Sequence, residues 1–373
     1  MLNLVRYIFS TKQFFLFHPK KKVDVIVFGR INSKLDLGKI KLFELYNQIY
    51  ISIIFKSLFI FLIKFKKHTF NEIYFKGVIS LFSPKIAIGD EINNNIFKFK
   101  KLYPKKIAIG FQIINRSNIS TRKTNKGSCD YFLLFNRYSK KYYKNIKAKF
   151  LIIGSLKNNE KPLKNLKKKF DLMFISEFRP KIYEKVRART KKQLKIVQGI
   201  KKNFYGFNEI ILNILNEISN DYDLKICIAL ASNRVEKKRK NFKKKEEQFF
   251  SKNLENAYFP NSSSYELAEK SHLIISMWSN LGIELFAQNK KVFFFTPNFY
   301  KNVNWNFFPK KNGFNWQQDL KRQEIKNKII KLLKLKKNKW NKFCKHSGYG
   351  ISFDKKNKLL KKLIQKKLSD INE

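Results

Sequence analysis

The chain has 373 residues and a mass of 44.7 kDa, which suits two domains of ordinary size. Its formal charge of +53 accompanies 43% hydrophobic residues, enough for two cores, so the composition excludes a wholly disordered chain. Lysine supplies most of the charge and is spread along the chain, which is typical of compositional drift with a general attraction to anionic lipids or substrates. Nucleic-acid binding, the other interpretation, favours arginine for bidentate contacts, and we expect no specific nucleic acid partner.

The cysteines and histidines predict neither disulfides nor a metal site. Cys129, Cys227 and Cys344 are widely separated in the chain, and the four histidines are isolated. Such spacing suits a reducing compartment and lacks the clustered ligands of a protein-bound metal. We therefore expect a cytoplasmic protein without metal or cofactor, either free or peripheral on the inner face of the cytoplasmic membrane.

Short apolar runs that end in turn residues predict the strands of a first parallel sheet. They are residues 23–28, 85–88, 106–109, 131–135 and 150–153. Helix-length stretches at residues 42–65 and 71–81 lie between them, and this alternation is typical of an α/β fold. The apolar stretch at residues 49–63 is short for a membrane span, and Lys56 interrupts it. We expect a buried helix there; membrane insertion is the alternative.

A lysine- and asparagine-rich linker is predicted at residues 158–169, and a second α/β series follows it. The predicted strands of this series are residues 170–175, 224–230, 273–276 and 291–295. Its predicted helices are residues 193–217 and 237–252. The fold class is therefore α/β, with Rossmann-like domains at residues 1–165 and 166–345. A single large domain with one sheet is the alternative.

The last segment, residues 346–373, predicts a basic amphipathic helix. One apolar stripe flanked by lysines consists of Leu359, Leu360, Leu363, Ile364 and Leu368. We expect this stripe to pack across the junction of the two domains. A helix lying on a membrane surface is the alternative.

The turn between the predicted strand at residues 273–276 and the next helix carries the most specific pattern. Ser279, Asn280 and Gly282 would lie at a helix N-terminus, where free backbone N–H groups favour phosphate binding. We include Ser276, the last residue of the strand, in the same predicted site. Glu284, one turn into the helix, can reach a ribose diol or simply favour the helix dipole. An ordinary N-capped turn is the alternative interpretation.

The pattern S-x-x-S-N-x-G-x-E, followed by a Lys-Lys-Val strand, resembles the donor-site segment of GT-B glycosyltransferases. The chain is similar above all to the family of surface carbohydrate (surface polysaccharide) biosynthesis proteins. Further segments carry the resemblance, in the same order, over residues 20–320: KIAIGDEIN, KIAIGFQIINR, DYFLLFN, GSLKNN, ISEFR and GFNW.

The resemblance implies a GT-B fold, with an N-terminal acceptor domain and a C-terminal donor domain facing each other across a cleft. It also implies transfer of a sugar from a nucleotide-sugar donor to a growing surface glycan or its lipid carrier, in polysaccharide or lipopolysaccharide assembly. Hydrolysing epimerisation and phosphoalditol transfer are other reactions of this fold. A non-catalytic basic protein that binds membranes or nucleic acid is a third class.

Transfer of this kind needs no protein-bound metal, because a helix N-terminus and basic side chains can stabilise the departing diphosphate. Asp90, just after a first-domain strand, is the predicted base that deprotonates the acceptor, and Glu91 is its immediate rival. A helix cap is the alternative role for Asp90. Arg179, after the first strand of the second domain, is expected to contact phosphate; a surface arginine without a role, on the loop before Pro180, is the alternative.

Three further residues are expected to contact the sugar or the acceptor. Gln112 and Arg116 also follow a predicted strand, where they can orient a sugar; ordinary loop polarity is the alternative. Trp316 can stack on a sugar face, and core packing is its alternative role.

Overall fold

The computed structural model contains two compact α/β units. It describes residues 13–15, 22–28, 37, 39–45, 48–63, 69–92, 94–113, 126–164, 166–178, 191–234, 240–297, 312–347 and 351–373. The first unit lies within Met1–Asn115, Lys123–Lys161 and Ser352–Glu373, and the second within Pro162–Ile351. Each unit contains one six-stranded sheet in which every pairing is parallel. The predicted fold class, α/β with two Rossmann-like halves, is confirmed.

The first sheet has the strand order β3-β2-β5-β6-β7-β8. Its strands are β2 (Val25–Phe28), β3 (Leu42–Leu45), β5 (Ile86–Asp90), β6 (Ile107–Phe111), β7 (Gly127–Leu134) and β8 (Ile146–Ile152). Two short strands, β1 (Gln13–Phe15) and β4 (Gln48–Tyr50), pair separately. The chain adds β3 on one side of β2 and later strands on the other. The topological switch point therefore lies between β2 and β5.

Alternate residues of β2 pack into two cores on opposite faces of this sheet, as the two-residue period of a strand requires. Ile26 and Phe28 lie in one core with the helices α1 (Ile51–Ile63), α2 (Phe70–Phe82) and α3 (Asn95–Leu102). Val25 and Val27 lie in the other core with α11 (Lys358–Asn372). A capping box between Thr69 and Glu72 fixes the start of α2.

The C-terminal segment belongs to the first unit. Leu360, Ile364 and Leu368 of α11 are buried in the second core of that unit. The stripe that we expected at the domain junction thus packs mainly on the first sheet, while its first residue, Leu359, is exposed. This last helix therefore forms part of the cover of the second core.

A network of side-chain amides anchors the segment that leads into α11. Gly154, in a left-handed conformation with φ of 81°, forms a bridge with Phe353, and a Cβ at Gly154 would lie 1.8 Å from the Ser352 carbonyl oxygen. The Asn159 side chain donates to Asn357 Oδ1 at 2.8 Å and accepts from the Asp354 N–H at 3.0 Å. The GSLKNN segment therefore holds the returning chain. Asn159 itself lies at the end of the short helix α4 (Leu156–Asn159).

The second sheet has the order β11-β10-β9-β12-β13-β14, that of a Rossmann sheet. Its strands are β9 (Phe170–Ile175), β10 (Ile226–Ala229), β11 (Ala257–Tyr258), β12 (Ser271–Ser276), β13 (Val292–Phe295) and β14 (Trp316–Gln317). The helices are α5 (Lys191–Tyr222), α6 (Lys240–Asn253), α7 (Ser264–Lys270), α8 (Asn280–Ala287), α9 (Arg322–Lys334) and α10 (Lys337–Ser347). β9, β10, β12 and β13 are almost entirely buried, as continuous apolar runs in a parallel sheet must be. The switch point here lies between β9 and β12.

The structure corrects the expectation for residues 42–65. This stretch begins with β3 and β4, and the helix starts only at Ile51. A short apolar run such as Leu42–Leu45 has no periodicity that separates strand from helix, and pairing with β2 decides in favour of the strand. α1 is also not a fully buried helix, because only Ile53 and Ser57 in it are buried. Within the described part of the chain, no helix has the length and apolar character to cross a membrane.

Candidate functional site

The carboxyl ends of β9 and β12 form the switch point of the second sheet, the place where open α/β sheets bind ligands. Ser176 and Glu177 follow β9, while β12 ends at Ser276. The Trp278 N–H donates to Glu177 Oε2 at 3.3 Å, so the two strand ends are joined directly. Two segments that are far apart in the sequence, ISEFR and S-x-x-S-N-x-G-x-E, are thus brought together.

Ser279 caps the helix that starts at this edge. Its backbone is extended, and its hydroxyl accepts a hydrogen bond from the Leu281 N–H at 3.3 Å. Asn280 is the first residue of α8, as the sequence predicts. The N-terminus of α8 therefore begins beside the switch point, and its positive end favours an anion there.

Gly282 allows α8 to approach the sheet closely. A Cβ at this position would lie 2.2 Å from Ser276 Oγ and 3.2 Å from the Phe294 ring. The Gly282 N–H donates to the Ser279 carbonyl at 3.2 Å. The structure thus gives Gly282 a packing role between helix and strand, where the sequence suggests a phosphate contact.

Glu284 is a buried carboxylate in the second turn of α8. The Tyr265 hydroxyl, on α7, donates to Glu284 Oε2 at 2.6 Å. Because Tyr265 donates its proton to Glu284, the hydroxyl oxygen and the carboxylate present acceptors, to which the two hydroxyls of a ribose diol can donate. Tyr265 was not among the predicted site residues, although it lies in the segment that the sequence marks as most specific.

Three buried hydroxyls at this edge have no hydrogen-bond partner among the described residues. They belong to Ser276 at the end of β12, Thr296 just past β13, and Ser232 just past β10. A buried polar group without a partner costs about 1–3 kcal/mol, and three of them at the carboxyl edge of one sheet require an explanation. A polar ligand at this edge would satisfy such groups.

Glu246, in the lysine-rich helix α6, fixes the loop after β10. It is fully buried and accepts hydrogen bonds from the Ala231 N–H at 2.8 Å and the Ser232 N–H at 3.0 Å. The Ser176 hydroxyl also donates to it. Glu246 thus ties the ends of β9 and β10 together. Nothing in the sequence distinguishes it from the neighbouring Glu247, so sequence reasoning missed it.

The switch point of the first sheet carries the predicted base. Asp90 is half-buried at the end of β5, and its Oδ1 accepts the Ile92 N–H at 2.9 Å. Asn94, not Asp90, is the cap residue of α3, so the alternative role as helix cap does not apply. Glu91 is buried and accepts a hydrogen bond from the Tyr143 hydroxyl, which gives it a structural partner.

The remaining predicted contacts have structural surroundings or lie outside the described residues. Gln112 is buried, and its Oε1 accepts the Phe135 N–H at 2.9 Å, which joins the ends of β6 and β7. Trp316 is buried in β14, and a Cβ at Gly313 would lie 2.1 Å from its ring. Core packing, the alternative for Trp316, therefore fits its place. Arg116 and Arg179 lie outside the described residues.

Within the described ranges, no three His, Cys, Asp or Glu side chains come together as a metal site. Cys129, Cys227 and Cys344 carry free thiols. Burial raises the pKa of each of these thiols to about 12, so none is a thiolate at neutral pH.

Comparison with known proteins identifies a family and a fold. The profile of the family described as "putative O-antigen biosynthesis protein" matches residues 112–368, which is most of the chain. No curated protein matches the chain in sequence.

Among solved structures, the UDP-GlcNAc 2-epimerase of Methanocaldococcus jannaschii, in complex with UDP-GlcNAc and UDP, is similar with a TM-score of 0.50 and 12% identity, covering 95% of this chain and 100% of that chain. A protein from Listeria monocytogenes described as a "putative UDP-N-acetylglucosamine 2-epimerase" is similar with a TM-score of 0.54 and 10% identity. The match covers 94% of this chain and 97% of that chain. The "Glycotransferase of kitacinnamycin" has a TM-score of 0.49 and 9% identity, and the match covers 94% of this chain and 100% of that chain. At such identities the similarity shows the fold alone, which is of the GT-B type.

Proposed function

The chain belongs to this O-antigen biosynthesis family, and we propose that it is a glycosyltransferase that uses a nucleotide-sugar donor to build a surface polysaccharide. The observation that carries the proposal is the switch point of the second sheet. There the N-terminus of α8, three buried hydroxyls and the pair formed by Tyr265 and Glu284 lie at one edge of a Rossmann-type sheet. These groups suit a nucleoside diphosphate better than an uncharged ligand.

In the proposed donor complex, the diphosphate lies at the N-terminus of α8. The helix end stabilises the negative charge that grows on the diphosphate as the sugar departs. Ser276 and Thr296 contribute hydroxyls from neighbouring strand ends, and Glu284 holds the ribose beside Tyr265. Arg179 remains a predicted phosphate contact. The similar epimerase from Methanocaldococcus jannaschii was solved with UDP-GlcNAc and UDP, which supports a nucleotide of this class.

Asp90 is the proposed base. In the transfer step a hydroxyl of the acceptor loses its proton to the carboxylate while its oxygen bonds to the anomeric carbon. The bond from that carbon to the diphosphate breaks, and the nucleoside diphosphate leaves with the electron pair. Of the two acidic candidates, Asp90 is the more exposed, whereas Glu91 is buried against Tyr143. We expect the acceptor to be a glycan or its lipid-linked precursor, on the cytoplasmic face of the membrane.

Nucleotide binding is the first test of this proposal. UDP and other nucleoside diphosphates should raise the thermal midpoint, because a ligand of the folded state stabilises that state. Glu284→Ala should weaken the preferred nucleotide by about 1–3 kcal/mol in calorimetry, the scale of a lost hydrogen bond to a charged group. Glu255→Gln, at an exposed position on the second unit, is the matched control and should bind as the wild type does. Equal affinity of all three proteins would remove Glu284 from the site, and no midpoint shift with any nucleotide would exclude the proposed donor.

Hydrolysing epimerisation is the competing activity, because two similar structures with TM-scores of 0.50 and 0.54 are described as UDP-GlcNAc 2-epimerases. The two activities differ in their need for an acceptor. A hydrolysing epimerase would release UDP and a sugar inverted at C2 from UDP-GlcNAc alone. A transferase releases the nucleotide in proportion to the acceptor supplied. Proton NMR of the released sugar, with and without an extract of lipid-linked glycans, separates the two.

A further inference from the structure

The outer face of α1 carries an unusual concentration of exposed apolar side chains. Phe55, Leu58, Phe59 and Leu62 follow the spacing i, i+3, i+4, i+7 and therefore form one stripe along the helix. Among the described residues, the four most exposed large hydrophobic side chains all belong to this helix: Leu62 at 73%, Phe55 at 68%, Phe59 at 67% and Ile63 at 66%. A contiguous apolar surface of this kind marks an interaction site.

The opposite face of α1 explains why the helix forms there. Ile53 and Ser57 are buried against α2, where a Cβ at Gly77 would lie 2.9 Å from Ile53 and 3.7 Å from the Ser57 hydroxyl. α1 is thus held to the first unit by one face. The outer stripe contributes nothing to that packing, so its apolar character needs another partner.

Charge and length indicate what that partner is. Lys56 is exposed in the same helix, Lys64, Lys66 and Lys67 follow α1 directly in the sequence, and the chain carries a formal charge of +53. Apolar and basic side chains together favour the surface of an anionic bilayer. The 13 residues of α1 span about 20 Å, less than the ~30 Å of a hydrocarbon core. A helix of this length lies in the interface and does not cross it.

We propose that α1 docks the protein on an anionic lipid membrane, with the stripe of Phe55, Leu58, Phe59 and Leu62 inserted at the headgroup boundary. A second copy of the chain is the other possible occupant of an apolar face. Pairing of two copies through α1 would bring their exposed Lys56 residues near each other, and like charges oppose that pairing. The inference rests on the surface of α1 and not on the proposed reaction.

Flotation with lipid vesicles tests the docking. The wild type should bind vesicles of phosphatidylglycerol and phosphatidylcholine and bind pure phosphatidylcholine much less. The double variant F59S/L62S should lose at least tenfold in binding to the anionic vesicles. Leu359→Ser removes a side chain of similar exposure on α11 and should leave binding unchanged. Because all three side chains are exposed, the thermal midpoints of the variants should match that of the wild type.

Two results would overturn the docking. Equal vesicle binding by the wild type and F59S/L62S would assign any attraction to diffuse charge alone. A wild type that forms dimers in light scattering, while F59S/L62S is monomeric and neither binds vesicles, would assign the stripe to self-association. Nucleotide-induced shifts of the thermal midpoint, measured on the same samples, test the donor site separately, so failure of docking and failure of the proposed function remain distinguishable.

Discussion

The two sheets end differently at their switch points. At the switch point of the first sheet, two buried polar side chains have internal partners: Glu91 accepts from Tyr143, and Gln112 accepts from the Phe135 N–H. In the second sheet, the hydroxyls of Ser232, Ser276 and Thr296 are buried without partners among the described residues. The two parallel sheets thus differ at this edge. The first has satisfied buried side chains and one half-buried carboxylate, that of Asp90, whereas the second has three buried hydroxyls without partners among the described residues. This contrast agrees with the proposal that the base lies in the first unit and that the donor binds to the second.

Among the variants that test this contrast, Asp90→Asn is expected to have the largest effect. An amide cannot accept the acceptor's proton, so turnover should fall by about 10²–10⁴-fold, the usual contribution of a general base. Donor affinity should hardly change, because the base acts in the transition state and not in donor binding. Single-turnover kinetics and calorimetry measure the two quantities. A variant that loses donor affinity and keeps its turnover would make Asp90 a structural residue.

The next largest effect is expected at Gly282. In Gly282→Ala the new Cβ meets Ser276 Oγ, and we expect the free energy of unfolding to fall by about 1–3 kcal/mol, as for overpacked cores. Gly206→Ala is the matched control, since a Cβ there meets nothing within 4 Å in the middle of α5. That control should be neutral or slightly stabilising, by up to about 1 kcal/mol. Urea unfolding of both variants measures the difference, and equal stability would show that α8 can move away from β12.

The smallest effect is expected for Ser276→Ala, which tests the difference between the two switch points directly. Ser276→Ala removes a buried hydroxyl without a partner, so the ligand-free protein should be as stable as the wild type or more stable, by up to about 1 kcal/mol. Glu91→Gln, at the satisfied edge of the first sheet, should instead destabilise because it weakens the bond from Tyr143. Nucleotide affinity should decrease only in Ser276→Ala. Thermal unfolding with and without UDP measures both the stability of the ligand-free variants and their nucleotide binding. A destabilised Ser276→Ala protein would show that the hydroxyl of Ser276 has a structural partner.

The sequence predicts the sheets well because their strands are continuous apolar runs. Residues 170–175 are a strand in the structure with the predicted bounds, and the turn into α8 begins at Ser279 as expected. Periodicity shows which residues of a helix are apolar but not what covers them. The stripe of α11 therefore suggested a domain junction and packs on the first sheet, while the apolar run of α1 suggested burial and leaves one face exposed. Partnerships of single side chains, such as that of Glu246 with the loop after β10, depend on tertiary contacts and leave no local pattern.

The anchor formed by Gly154, Asn159 and Asn357 sets an order of events during synthesis. The helix α11 is translated after every residue of the second unit, yet it covers one face of the first sheet. While a ribosome is still making the second unit, Val25, Val27 and the other residues of that core lack the cover that α11 provides. The second unit can close as soon as it emerges, whereas the first can complete this core only after α11 has also left the exit tunnel. We therefore expect a chain that lacks α11 to expose part of this apolar core.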